Sequence, residues 1–213
     1  MTEQLVLWGV GTPRTLRAHW VLHELGLAYA VRPILSRSGE TKTPEYTALN
    51  PRQKIPLLQD GDFVIGESAA IVAYLALKYS RVGCKLVPEQ TNEHARWLEW
   101  CFFIATELDS TTLYVIRRHG TNLSHLYADA PEVVAQAGEY FRAQLKHVEV
   151  ALSDGRDYLM GETFTTADIL LTTCLTWALD YGVGICDKAV PYLDRVKSRA
   201  GYISGSAANF AKI

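Results

Sequence analysis

Three short stretches of the chain carry residues suited to chemistry. The first is Thr12-Pro13-Arg14-Thr15. Proline belongs in the first turn of a helix, where its missing N–H would be unpaired in any case, and threonine is a good residue just before it. A helix begun there presents free N–H groups and partial positive charge at its mouth. A sulfur held at that mouth is stabilised as thiolate, and its pKa falls. The Thr12 hydroxyl can donate a hydrogen bond to such a sulfur, but it is far too weak a base to remove the proton. The same residues also read as nothing more than a capped helix start.

The second stretch is Asn50-Pro51-Arg52-Gln53-Lys54-Ile55-Pro56-Leu57-Leu58, two prolines around a basic segment ahead of a strand. The residue before Pro56 is pushed to an extended conformation. With a cis bond at Pro56, the Ile55 N–H and C=O would both face outward and pair with an extended peptide, as in strand addition. Only about 5–6% of X-Pro bonds are cis, so by itself this segment reads as an ordinary loop. The third stretch is Gly66-Glu67-Ser68. Ser68 suits the cap of the helix that follows, and a ligand carboxylate suits the same N-terminus. Glu67 beside it can face an ammonium group. Together they describe a site for the zwitterionic end of an amino acid.

Other polar clusters carry less. His19 and His23 are four apart on one helical face, but two ligands do not complete a zinc site and H-E-x-x-H is absent. They read as partly exposed helix residues, and no metal is expected. Arg117-Arg118-His119 reads as a solvated helix end.

These stretches need elements to hold them. Leu5 to Trp8 reads as a strand, and Leu16, Trp20 and Leu25 mark a helix ended by Gly26. A second strand runs from Tyr29 to Ile34. Leu57-Leu58-Gln59 and Phe63-Val64-Ile65 flank Asp60-Gly61-Asp62, a strand–turn–strand signal. Ile71, Tyr74, Leu75 and Tyr79 then follow at helical spacing. The order βαβ, then ββα, implies a small mixed sheet with helices packed on it. After Arg81 the strand signals stop. Helices are expected over Thr91 to Arg118, Glu132 to Leu152, Thr165 to Tyr181 and Ala189 to Arg199. Phe164-Thr165-Thr166-Ala167-Asp168-Ile169 has the spacing of a capping box with a hydrophobic staple: Thr165 caps, Asp168 reaches back, Phe164 packs on Ile169.

The whole chain, 213 residues with 48% hydrophobic and 21% charged, can bury a core and is not disordered. A net charge of −2 gives no broad cationic face for nucleic acid. The longest apolar run, Ala69 to Leu77, is far short of the roughly 18 residues that span a bilayer. The opening residues show no secretion signal. Cys84, Cys101, Cys174 and Cys186 form no C-x-x-C and read as reduced packing residues. A cytoplasmic location without nucleic-acid or membrane partners is the expectation.

Taken in order, Thr12-Pro13, Asn50-Pro51 with Lys54-Ile55-Pro56, the Asp60-Gly61 turn and Glu67-Ser68-Ala69-Ala70-Ile71 resemble the N-terminal domain of cytosolic glutathione transferases. Phe164 to Ile169 resembles that family's helix-capping motif, and the resemblance runs from Leu5 to about Tyr202. It implies a thioredoxin-like domain over residues 1–80, a linker over 81–91 and an all-helical domain over 92–213. The loop holds neither cysteine nor tyrosine, which is similar to a bacterial-like serine/threonine-type branch. Thr12 then falls where serine contacts the glutathione sulfur, with Arg14 and Thr15 as fallbacks. Ile55 matches the position whose backbone pairs with the cysteinyl part, Pro56 the cis-proline, and Glu67 and Ser68 the γ-glutamyl anchor. Gln53, Lys54 and Lys42 are implied at the glycine end. Arg14, Tyr114 and Arg117 are implied at a second-substrate pocket, and Asp109 at the γ-glutamyl amine of a neighbouring subunit. The implied protein is a homodimeric glutathione transferase with glutathione as co-substrate and no metal. It activates the thiol for attack on an apolar electrophile. A glutathione-dependent peroxidase or isomerase, and a non-catalytic binding module, are the alternatives.

Overall fold

A computed structural model of the chain describes residues 5–211. Its first strand follows from alternation. In β1 (Leu5–Val10), Leu5 and Leu7 are buried on one face while Val6 and Trp8 stand half-buried on the other. Helix α1 (Pro13–Glu24) then returns the chain to β2 (Tyr29–Leu35), which pairs parallel to β1. A single tight turn at Glu40–Lys42 and a short helix α2 (Pro44–Leu49) follow. Strands β3 (Leu57–Asp60) and β4 (Phe63–Gly66) form the hairpin, and α3 (Ser68–Tyr79) closes the motif. The sheet order is β2-β1-β3-β4, with β3 antiparallel to both neighbours. This is the small mixed sheet expected from the order of elements, in the thioredoxin-like arrangement that the resemblance implies.

Helix α2 lies in what reads as a gap in the sequence. Its start repeats the Thr12-Pro13 pattern: Thr43 caps by accepting the Tyr46 N–H at 3.2 Å, and Pro44 fills the first turn. Tyr46 joins Ile34 and Leu57 in a side core, with Trp8, Leu49, Ile55 and Val64 packed around them.

The second unit is helical: α4 (Thr91–Phe103), α5 (Tyr114–His119), α6 (Ser124–Tyr127), α7 (Pro131–Ala151), α8 (Thr166–Asp180) and α9 (Ala189–Lys197). Helix α8 is buried on nearly every side, as its apolar sequence requires of a central helix. At its start, the expected capping carboxylate is present. Asp168 accepts bonds from the Thr165 N–H and hydroxyl at 2.8 and 3.2 Å, the Leu159 N–H at 2.8 Å and the Tyr192 hydroxyl at 2.8 Å. The predicted single helix over 91–118 is interrupted. Between α4 and α5, Ile104–Leu113 winds in wider turns, and the Tyr114 N–H reaches the Asp109 carbonyl five residues back. Threonine hydroxyls bond carbonyls four residues back at both ends of this stretch, Thr106 to Phe102 and Thr112 to Leu108.

One helix escapes the sequence reading altogether, α10 (Ala200–Asn209). It does not belong to the helical unit. The second unit is Pro88–Lys197, and the chain from Ser198 joins the part that runs to Val87. By its contacts the chain thus divides at Val87 and again at Ser198. The cause is close packing on α1. A Cβ added at Gly205 would stand 2.7 Å from the Trp20 Cα, and one at Gly201 2.5 Å from the Glu24 side chain. Tyr202 meets the Trp20 ring edge-on at 5.0 Å, and Arg199 grips Glu24 through two bonds of 2.8–2.9 Å.

Candidate functional site

Strand pairing brings the three stretches to one end of the sheet. Trp8, near the end of β1, pairs with Leu57 at the start of β3, and Leu57 pairs with Gly66 at the end of β4. The residues just beyond those pairs are Gly9 to Thr12, Ile55-Pro56 and Glu67-Ser68. Val10 pairs with Leu35, so the segment after β2 that leads to Lys42 leaves from the same end.

Thr12 is the cap of α1. Its Oγ1 accepts the Thr15 N–H at 3.0 Å, and its own N–H donates to Thr15 Oγ1 at 2.9 Å, a reciprocal capping box. Its side chain is largely buried. Having accepted one bond, the hydroxyl keeps a single proton to donate, and Thr15 Oγ1 at 3.0 Å is one acceptor within its reach. Arg14 is half-buried on the first turn.

The Ile55–Pro56 peptide is cis. The loop ahead of it is shaped at the Lys54 carbonyl, which accepts the Tyr46 hydroxyl at 2.6 Å and Asn50 Nδ2 at 2.8 Å. Gln53 adopts φ 53° and donates to Thr47 Oγ1 at 3.0 Å, while Lys54 and Lys42 are exposed.

At the third stretch, the capping position is Glu67, not Ser68. Glu67 has φ 65° and makes no side-chain cap, so Ser68 is the first helical residue. A non-glycine residue held there costs about 1–3 kcal/mol, and such strain concentrates at ligand sites. The exposed Glu67 carboxylate pairs with Arg52 at 2.8 Å, and the buried Ser68 hydroxyl accepts from Arg17 Nη1 at 3.2 Å. Neither α1 nor α3 has an acidic residue in its first turn. The mouth of α1 therefore keeps its positive potential, while at α3 the carboxylate of Glu67, at the capping position and paired with Arg52, stands beside the free N–H groups.

The remaining sequence candidates lie in the helical unit. Tyr114 and Arg117 are half-buried on α5, and Asp109 is buried in the wide-turn stretch. The basic cluster at the end of α5 is not freely solvated: Arg118 stacks 4.4 Å over the Tyr127 ring, and the Nε atoms of Arg117 and Arg118 are buried. His19 is likewise fully buried rather than partly exposed. Its Nε2 lies 3.2 Å from the Gly9 carbonyl and its Nδ1 2.7 Å from the Tyr29 hydroxyl. The carbonyl can only accept, so Nε2 carries the proton and Tyr29 donates to Nδ1. Burial lowers the His19 pKa to about 4. Among the described residues, no group of three or more His, Cys, Asp or Glu is placed to hold a metal, and no helix is long and apolar enough to cross a membrane.

Two contributors have no motif. Gly9 passes under Ile55, where a Cβ would overlap the isoleucine side chain. Asn209, at the end of α10, bonds to Gly11, Thr12 and Thr15. The missed signal at Gly9 was a lone glycine inside a strand, which often marks a bulge or a close approach; the β1–β2 register does shift there.

Comparison with known proteins agrees with this frame. The family model described as glutathione S-transferase, N-terminal domain, matches residues 3–77, and the glutathione S-transferase C-terminal domain model matches 131–204. Glutathione S-transferase 3 of Zea mays is 33% identical over 77% of this chain and 73% of its own length. The glutathione S-transferase-like protein gedE of Aspergillus terreus is 37% identical, but the match covers 47% of this chain and 44% of that protein. Among solved structures, the theta-class glutathione S-transferase of Xanthomonas axonopodis pv. citri, with glutathione bound, superposes with a TM-score of 0.82 over 99% of both chains. At 24% identity, this is a likeness of fold. With both domain models matched and a relative of this identity and coverage, the chain belongs to the cytosolic glutathione transferase family.

Proposed function

We propose that the chain binds glutathione at this end of the sheet and activates its thiol for transfer to an apolar electrophile. The observation that carries the reading is the convergence of three complementary groups: the Thr12 cap, the outward edge at Ile55–Pro56 and the uncapped mouth of α3. On this reading the γ-glutamyl carboxylate takes the Ser68 end of α3, and the ammonium group faces Glu67. The cysteinyl part pairs with the Ile55 backbone. Gln53, Lys54 and Lys42 reach the glycine carboxylate. The sulfur then stands at the mouth of α1, where the single Thr12 proton points to it.

Lowering a thiol pKa by two units takes about 2.7 kcal/mol of differential stabilisation. One hydroxyl donor and a helix N-terminus together supply that order of energy. The thiolate attacks an electrophilic carbon. The new C–S bond forms as the leaving group departs with its electron pair, or as an activated double bond takes the pair and a proton from water. Arg14 is the residue of this unit that we assign to the second substrate. The branch is the serine/threonine type, and the working form is a cytoplasmic homodimer.

Calorimetry with glutathione, then a panel of electrophiles, peroxides and maleyl-type isomerisation substrates, tests this with wild type and Thr12→Ala. Binding with conjugation that falls in Thr12→Ala is the expected result. Absence of heat at millimolar glutathione would end the proposal. Binding with turnover of peroxides or isomers alone would reassign the reaction.

A further inference from the structure

We propose that Asn209, the last residue of α10, is a positioning residue for the sulfur-binding hydroxyl: it clamps the Gly11–Thr15 loop so that Thr12 is held in one orientation. The inference rests on the functional reading above and extends it to a residue outside both matched domain segments.

Asn209 is 1% exposed, and its polar groups are spent on this one loop. Its main-chain carbonyl, an end carbonyl of α10 with no helical partner, accepts the Gly11 N–H at 2.9 Å. Its Oδ1 accepts the Thr15 hydroxyl at 2.7 Å and lies 3.2 Å from the same Gly11 N–H. Its Nδ2 donates to the Thr12 carbonyl at 3.1 Å. That carbonyl also accepts the Leu16 N–H at 3.0 Å, so both its lone pairs are occupied.

The Thr15 hydroxyl has one proton. Three acceptors lie within reach of it: the Thr12 carbonyl at 2.9 Å, Thr12 Oγ1 at 3.0 Å and Asn209 Oδ1 at 2.7 Å; with the carbonyl filled, the shortest contact, to Asn209, takes it. Thr15 Oγ1 then serves Thr12 as acceptor for its N–H. Thr12 is thereby held at its N–H by Thr15, at its carbonyl by Asn209 and Leu16, and at its Oγ1 by the Thr15 N–H. The Thr12 hydroxyl proton then has two acceptors to choose between, Thr15 Oγ1 at 3.0 Å or a ligand sulfur in front of the loop, and the clamp fixes the oxygen from which it is donated. A donor fixed before the ligand arrives stabilises developing charge without reorganisation, so the clamp acts on thiol ionisation rather than on tripeptide affinity. The anchor of the clamp is rigid, because Gly205 seats α10 directly on the Trp20 backbone.

No member of the cluster titrates. The nearest charged residues on α1 are Arg14 and Arg17, α10 carries none, and β1 carries none. His19, on the Gly9 carbonyl, titrates near 4, below the range to be used.

The test measures the pKa of the bound glutathione thiol, from thiolate absorbance against pH, in wild type, Thr12→Ala, Asn209→Ala, Asn209→Asp and Tyr202→Leu. Asn209→Ala releases the loop. Asn209→Asp keeps the shape and the acceptor for Thr15, but sets a carboxylate oxygen against the Thr12 carbonyl. Each should raise the thiol pKa by about one unit, and so cut kcat/KM about tenfold on the acid side of the profile, with recovery at high pH. Glutathione affinity should stay within about twofold, because the clamp makes no contact assigned to the tripeptide. Tyr202→Leu loosens α10 on Trp20 without touching the cluster; it should lower Tm and leave the thiol pKa unchanged.

A raised pKa in Thr12→Ala with wild-type values in both Asn209 variants would overturn the clamp and leave the functional reading standing. Wild type that binds no glutathione, or Thr12→Ala with an unmoved thiol pKa, would remove both. Should Asn209→Ala fail to fold, Asn209→Asp carries the decision.

Discussion

A Cβ on Gly9 would stand 2.6 Å from the Cβ of Ile55. The strand and the candidate peptide-binding edge therefore touch only because position 9 has no side chain. Its φ of +107° is also a conformation that other residues adopt under strain. Ile55 has little room to yield, since the Lys54 carbonyl before it is held by Tyr46 and Asn50. Gly9→Ala should cost about 2–3 kcal/mol in urea denaturation. It should also weaken glutathione binding. Wild-type values for both would mean that Ile55 can move aside freely.

Asp168 predicts the largest single loss of stability in the helical unit. Its carboxylate satisfies four donors in a fully buried place. Burial pushes its pKa up, and the donated bonds oppose that shift. Asp168→Ala strands two N–H groups and two hydroxyls and should cost on the order of 3–5 kcal/mol. Tyr192→Phe removes one donor and leaves the carboxylate three, and should cost only about 1 kcal/mol. Thermal melts of the two variants check the contrast.

His19 gives stability a pH dependence of known sign. Its folded pKa, lowered to about 4 by burial, lies below the 6.5 of the free side chain. Between those values the unfolded chain binds the proton and the folded chain does not. Its contribution is therefore complete above pH 6.5 and is lost as pH falls toward 4, by on the order of 3 kcal/mol. Urea midpoints at pH 7 and pH 5 should differ in wild type, and that difference should shrink in His19→Gln. An equal slope in the variant would assign it to other groups.

Thr12 has two separable tasks, capping and donation. Thr12→Ala should lose about 1 kcal/mol of stability as a missing cap. It should also raise the bound thiol pKa by one to two units, so that about ten- to a hundredfold less thiolate forms on the acid side. Thr12→Gly costs the cap only a few tenths of a kcal/mol and removes the donor completely. Thr12→Ser restores both. Chemical denaturation with a pH–rate profile for the three variants separates the tasks.

Local signals were legible where one residue type does one physical job. Thr12-Pro13 starts a helix, Asp168 reaches back to Thr165, and alternating residues make β1. The Thr43-Pro44 signal for α2 is equally plain, but the helix it opens has only six residues, too few to show a periodic stripe. Helix α10 gave no stripe: Gly201, Ser204, Gly205 and Ser206 are poor helix formers, present here because α1 comes so close. The wide turns of Ile104–Leu113 are invisible to a search at 3.6-residue spacing. Ser68 read as a cap because serine favours that position, but the backbone leaves β4 through a positive φ at Glu67 and shifts the cap by one. Asn209 could not have been found from the sequence. It meets Thr12 across nearly the whole length of the chain, and a single asparagine near a terminus announces nothing.

Because Gly205 rests on the Trp20 backbone, α1 waits for α10. On the ribosome, α1 emerges early, but its covering helix appears only after all of Pro88–Lys197 has been synthesised, on the order of ten seconds later. Through that interval the Trp20 face and the Gly11 N–H have only water or a chaperone against them. An isolated fragment ending at Val87 would stay in that unfinished condition.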